Sequence, residues 1–182
     1  LRWELFVSYY FAFLVNVAMV LLVGPILPYL IEEAGISYSV AGGLLSAFAI
    51  GNLLASFVNP PLAGKIGRKA TIVSMSALIP LMWLIITWIP PVPVLYAAFV
   101  LLGIGRGSVS IINNAVVNDN SDGKPAALNL LHMTFAVGAF LSPFLTSLYI
   151  GAGMGWRAVA YTVVTGSALA CLFYALMELD YN

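Results

Sequence analysis

The sequence predicts an all-α membrane protein in which six transmembrane helices form one bundle. Three observations point there. Of 182 residues, 62% are apolar and only 8% are charged, and mean hydropathy is +1.03. A soluble domain carries about 25% charged residues, so this chain has too few charges to cover a water-facing surface or to stay disordered. Six apolar runs approach the roughly 20 residues needed to cross a ~30 Å hydrocarbon core. None of them alternates apolar with polar residues, as the strands of a membrane barrel would.

The six helices are expected at about 5–30, 39–63, 70–89, 94–116, 126–150 and 158–177, together one domain spanning 1–182. Glu32-Glu33-Ala34-Gly35 ends the first, and Gly24, Pro25 and Pro28 weaken its outer third. Gly64-Lys65-Ile66-Gly67-Arg68-Lys69 separates the second from the third. Pro90-Pro91-Val92-Pro93 stops the third, because proline removes a helical donor. The fourth contains Gly103, Gly105 and Gly107, which are expected to flatten one side of it. A polar stretch, Asn118 to Lys124, leads to Pro125, a residue suited to a first helical position. Gly151-Ala152-Gly153-Met154-Gly155 precedes the sixth. The first run is too long for a signal-peptide core. Leu1 is not an initiator methionine, so the chain is expected to lack its true start.

Short-loop Lys and Arg set orientation. With six crossings, both termini share a side with Arg2, Lys65, Arg68, Lys69 and Lys124, and only Arg157 falls opposite. That places both termini in the cytoplasm of a multi-pass protein of the cell membrane. Trp3, Trp88, Tyr96 and Trp156 sit near span ends, where amphipathic rings favour the interface.

Ionisable residues at membrane depth are functional candidates, since each costs about 2.5–3.5 kcal/mol on insertion scales. Arg106 lies near the middle of the fourth run, with Ser110 and Asn113 on its face. No span carries an Asp or Glu to pair with it. Its partner is an acid outside the bundle, a set of backbone carbonyls, or an anionic solute. His132 lies about two turns into the fifth run with Asn129 on its face, suited to a solute hydrogen bond or a proton relay. The alternative for both is a structural polar contact between helices. Asn16 and Asn52 lie near the middle of the first two runs, as solute ligands or packing polars.

The stretch Pro60-Pro61-Leu62-Ala63-Gly64-Lys65-Ile66-Gly67-Arg68-Lys69 resembles the cytoplasmic loop signature of the major facilitator superfamily, roughly G-x-x-x-D-[RK]-x-G-[RK]-[RK]. Lys65, Gly67, Arg68 and Lys69 match its basic and glycine positions. Pro60 replaces its first glycine, and Gly64 replaces the acid that anchors the family's closed cytoplasmic gate. Gly24-Pro25-Ile26-Leu27-Pro28, the glycine-rich stretch around Arg106, and Gly155-Trp156-Arg157 also resemble the superfamily in the expected order. Asn114, the run from Ala127 to Ala139 and Pro143 are similar to the fucose–galactose–proton symporter branch, with Ala136 where glycine is usual. That branch couples protons through membrane carboxylates, which these spans lack.

The resemblance implies one six-helix repeat of a secondary transporter, whose second six-helix bundle is either a missing C-terminal half or a homodimer partner. It implies alternating access for a small polar solute, sugar-like first and anionic through Arg106 as the alternative. A non-transporting scaffold or assembly factor of the same fold is the rival. It makes Asn16 the favoured solute ligand beside Arg106, His132, Asn129 and Asn52. It assigns gating to Lys65, Gly67, Arg68 and Lys69, with Asn113 and Asn114 near the inner gate. Membrane lipid is an expected partner; nucleic acid is not, because charge is balanced. One His and one Cys leave nucleophilic and metal chemistry without parts, so no enzyme, metal or cofactor is expected. No phosphate-binding G-x-x-x-x-G-K-[ST] occurs.

Overall fold

The structure, a computed structural model, describes residues 3–177. Arg2, counted in the charge bias, lies outside the described residues, as does the side chain of Trp3. Six helical elements follow one another: α1 (Trp3–Val20), α2 (Val23–Ala34), α3 (Tyr38–Thr87), α4 (Val92–Asn120), α5 (Pro125–Gly151) and α6 (Trp156–Leu176). No strand occurs among the described residues.

Five stretches are long and apolar enough to cross a membrane, not the six expected: Tyr9–Ala34, Tyr38–Thr87, Val92–Asn120, Pro125–Gly151 and Trp156–Leu176. The difference arises in α3, which joins the second and third predicted runs. Its 50 residues would extend about 75 Å if straight, far beyond a bilayer core. Gly67 interrupts it with φ 86° and ψ 160°. The expected six-residue loop at 64–69 is therefore one residue, because glycine alone adopts that φ without strain. The Thr71 hydroxyl donates to the Gly67 carbonyl at 2.7 Å and braces the break.

Contacts with α4 show that the chain reverses there. Tyr96 lies over Gly43, Gly103 over Phe48, and Ser108 meets Asn59, so the arm before Gly67 runs parallel to α4. Gly105 meets Met75 and Ile79, whereas Asp119 meets Arg68, so the arm after Gly67 runs antiparallel. α4 thus lies between the two arms.

Other boundaries also shift. The first predicted run is broken at Leu21 and Leu22. Pro25 explains the position, because its ring supplies no N–H to the Leu21 carbonyl and crowds it. The turn tightens there, with Leu22 N–H donating to Met19 O at 3.3 Å. α2 then runs on through Glu32 and Glu33 to stop at Gly35, φ 63°, a left-handed cap. α4 likewise continues through Asn118, Asp119 and Asn120. Pro125 opens α5 and Gly155 caps the start of α6.

The closest packing is between α3 and α4. A Cβ on Gly51 would lie 2.0 Å from the Val100 carbonyl oxygen, and one on Gly103 2.1 Å from that of Phe48. Gly107 approaches Asn52 and Ala55 in the same way. Gly105 faces the opposite arm, near Met75 O. Contrary to the expectation from their clustering, the three α4 glycines therefore do not share one side. Two residues rotate a helix by about 200°, which turns Gly105 away from Gly103 and Gly107. Around these contacts Trp83, Phe99, Leu102, Ile79 and Tyr174 are buried. Within lipid such packing replaces water exclusion as the main attraction between helices.

Replacing Gly103 with Ala should destabilise the bundle by about 1–3 kcal/mol through overpacking against backbone. Gly64→Ala, where a Cβ meets nothing within 4 Å, should not. Thermal unfolding of both variants in lipid nanodiscs checks this; equal midpoints would contradict the close approach.

Candidate functional site

Arg106 is the middle residue of the 29-residue helix α4, about 21 Å from either end. Its side chain is half-buried. Nη1 donates to Asn52 Oδ1 at 2.7 Å, and Cζ stands 5.5 Å from the Phe135 ring centroid. The first contact comes from α3, the second from α5. Both orient the guanidinium, and the ring face attracts its charge. Asn52 is placed by packing, since its backbone N and O lie against Gly103 and Gly107.

On α5, His132 is three residues and Asn129 six residues from Phe135, towards the end that carries Lys124. Both are exposed on this chain, and neither makes a hydrogen bond to a described residue. Ser110, one turn from Arg106 on α4, is half-buried at the level of His132. From α4, Arg106 thus reaches Asn52 on α3 and Phe135 on α5, with exposed His132 about one turn along α5 from Phe135 and exposed Asn129 a further turn away and about 120° round that helix from Phe135.

Asn16 does not join it. It is 1% exposed, and its Nδ2 has no hydrogen-bond partner. The expectation that Asn16 shares an accessible face with Arg106 and His132 is corrected: α1 turns it into the packed interior. Asn113 is also sealed, at 0% exposure. Its Nδ2 donates to Val109 O at 2.7 Å and to the Tyr174 hydroxyl at 2.8 Å, tying α4 to α6. In this structure Asn113 is a buried interhelical tie. Asn114 is half-buried and donates to Ser110 O on its own helix.

The basic turn is better partnered than the sequence suggests. Arg68 Nη1 pairs with Asp119 Oδ2 at 2.6 Å, both side chains half exposed. Gly64 leaves the family signature without its acid, and Asp119 brings one from the end of α4. Lys65 is exposed and Lys69 half-buried, on either side of Gly67. At the opposite end Glu33 accepts from Trp156 Nε1 and from Arg157 Nη1, while Arg157 Nε donates to Thr87 O at 3.0 Å. The Gly-Trp-Arg stretch is thus a clamp joining α2, α3 and α6.

Sequence reasoning missed Phe135, Asn59, Asp119, Glu33 and Tyr174. Asn59 donates to Ser108 Oγ at 2.9 Å inside the α3–α4 seam. An i+3 relation to His132 was the one available signal for Phe135; the others owe their roles to distant chain segments. A cavity of about 410 Å³ between α1 and α6 is lined by Met19, Tyr161, Thr162, Thr165, Gly166 and Leu169. It shares no residue with the surroundings of Arg106. Its Thr162 hydroxyl is already engaged by Tyr149 and Ala158.

Removing the Tyr174 hydroxyl with Phe should cost about 1 kcal/mol of stability, the usual worth of one such bond. Adding Asn113→Leu should recover much of it, because both buried polar partners then disappear together. A double-mutant cycle read by unfolding checks the tie.

No curated protein matches the chain. A family model described as Major Facilitator Superfamily matches residues 9–181, nearly the whole chain, and the protein belongs to that superfamily of secondary solute transporters.

Proposed function

We propose that this chain forms one six-crossing bundle of a transporter that moves a small polar solute by alternating access against a second six-helix bundle. The reversal at Gly67 supports six crossings, since it divides α3 into two arms of spanning length. The observation that carries the solute site is the Arg106–Asn52 pair at mid-span, half-buried, with His132 and Asn129 exposed on the neighbouring α5. A scaffold of the same fold would enclose these groups in direct protein contacts; His132 and Asn129 have none of that kind here. A sugar-like solute suits the neutral hydrogen-bonding residues and the similarity of the Ala127–Ala139 run to the fucose–galactose–proton symporter branch. Asn16 contributes through helix packing in this scheme, not by touching solute.

The basic residues Lys65, Arg68, Lys69 and Lys124 support cytoplasmic placement of the Gly67 end and of both termini, in the cell membrane. Membrane-impermeant thiol labelling of single-cysteine variants should react from outside at position 92 and not at 65. The reverse pattern overturns the orientation. A cysteine at Asn129 should change its labelling rate when transported solute is added, as the bundle opens to alternate sides. A rate indifferent to every solute overturns alternating access here.

Coupling falls to the second bundle in this scheme, because the carboxylates with described side chains lie at the bundle ends and not at mid-span, and His132 serves as a hydrogen-bonding contact for solute. In His132→Gln, uptake should slow while its dependence on an imposed pH gradient persists. Loss of that dependence with solute exchange intact would make His132 the coupling residue.

A further inference from the structure

We infer that the solute is a hydroxycarboxylate, a sugar acid and not a neutral sugar, with Arg106 taking its carboxylate; this rests on the transport reading above. The guanidinium presents its N–H donors in a fixed planar fork. Asn52 Oδ1 occupies Nη1, and Phe135 stands near Cζ. Both partners are neutral, so they orient the group and leave its charge uncompensated. The acids with described side chains lie only at the bundle ends: Glu32, Glu33, Asp119 and Asp122. Glu33 is committed to Arg157 and Asp119 to Arg68. A cation at mid-span with no acid in its own bundle selects an anion from outside it, and a carboxylate matches the fork in shape as well as charge.

Two sources would supply that carboxylate, a solute or a residue of the second bundle. The surroundings favour the solute. Asn52 must present its oxygen to Arg106, because arginine only donates, which leaves the NH2 group of the half-buried Asn52 without a hydrogen-bond acceptor among the described residues. Asn129 and His132 add exposed amide and imidazole groups on α5. An interbundle ion pair makes no use of these neutral groups; hydroxyls do. His132 lies about 4.5 Å along α5 from the level of Phe135 and about 60° round it, near enough to meet a hydroxyl of a molecule whose carboxylate is on Arg106. The proposal puts the carboxylate at Arg106 and the hydroxyls towards Asn52 and His132.

The test is titration calorimetry on the purified full chain with D-gluconate, D-glucuronate and D-glucose. At least one acid should bind, and glucose at least tenfold more weakly. Asn52→Asp places a carboxylate against the guanidinium in the same volume, and should weaken acid binding at least tenfold, more than Asn52→Ser does. Arg106→Lys, which keeps the charge and loses the fork, should also weaken it about tenfold, and it decides the matter if Asn52→Asp does not fold. Glucose binding as tightly as the acids overturns the inference. So does absence of acid binding, or acid binding unchanged in these variants, as an interbundle acid on Arg106 would give. Solute-dependent labelling at Asn129 driven by a neutral sugar alone would discard this inference and keep the transport reading. Acid binding sensitive to Asn52→Asp with no labelling change would keep the site and discard alternating access.

Discussion

Gly103 and Gly107, one turn apart on α4, bring the backbone of α3 so near that no side-chain atom fits between them. Asn52 lies at both contacts, its N against one glycine and its O against the other. Its side chain therefore has little choice but to emerge beside Arg106, which sits on the same helix between those glycines. The polar pair at mid-span is a product of backbone packing. The same seam carries Gly51 against Val100 and Asn59 against Ser108. α4 is held from the other side by the arm after Gly67, through Gly105 and Ile79.

Charge is distributed to suit this frame. The ion pairs Arg68–Asp119 and Arg157–Glu33 join helix ends and leave their side chains substantially exposed. Such exposed pairs fix geometry more than stability. Arg106 has no such partner among the described residues, and the neutral Asn52 and Phe135 offset only part of the cost of its burial. A cation–π contact contributes about 0.5–2 kcal/mol, against about 2.5–3.5 kcal/mol for inserting an arginine at the centre of a span. Charge is therefore paired at the two ends of the described bundle, while the arginine at its middle meets only neutral groups.

Much of this was legible in the sequence because it depends on local pattern. Apolar runs of spanning length located the helices, Pro125 marked a start, and a lone arginine in a run without acids marked the middle of α4. What was not legible depends on direction or distance. Glycine composition does not say which way each glycine faces, and two residues of rotation separated Gly105 from its neighbours. Asn16 looks the same in sequence whether α1 turns it inward or outward. The break at Leu21 and Leu22 comes from Pro25 four residues later, an effect that precedes its cause along the chain. Asp119 and Glu33 appeared as loop residues, and only the folded chain shows them extending helices towards Arg68 and Arg157.

The reversal at Gly67 has a consequence for how the chain tolerates change. Loops between membrane helices are usually where epitopes, fluorophores and protease sites are inserted, because their backbone is free of helical bonding. Here the helical ladder runs up to Gly67 on one side and resumes at Arg68 on the other. An insertion there would be spliced into two helices at once, and would displace both arms that hold α4. The turn formed by Ser121, Asp122, Gly123 and Lys124 is the contrasting place, since it already has non-helical residues with positive φ at Asp122 and Gly123. The two junctions at this end of the bundle therefore differ in mechanical character: one is a rigid hinge pin, the other a slack tether.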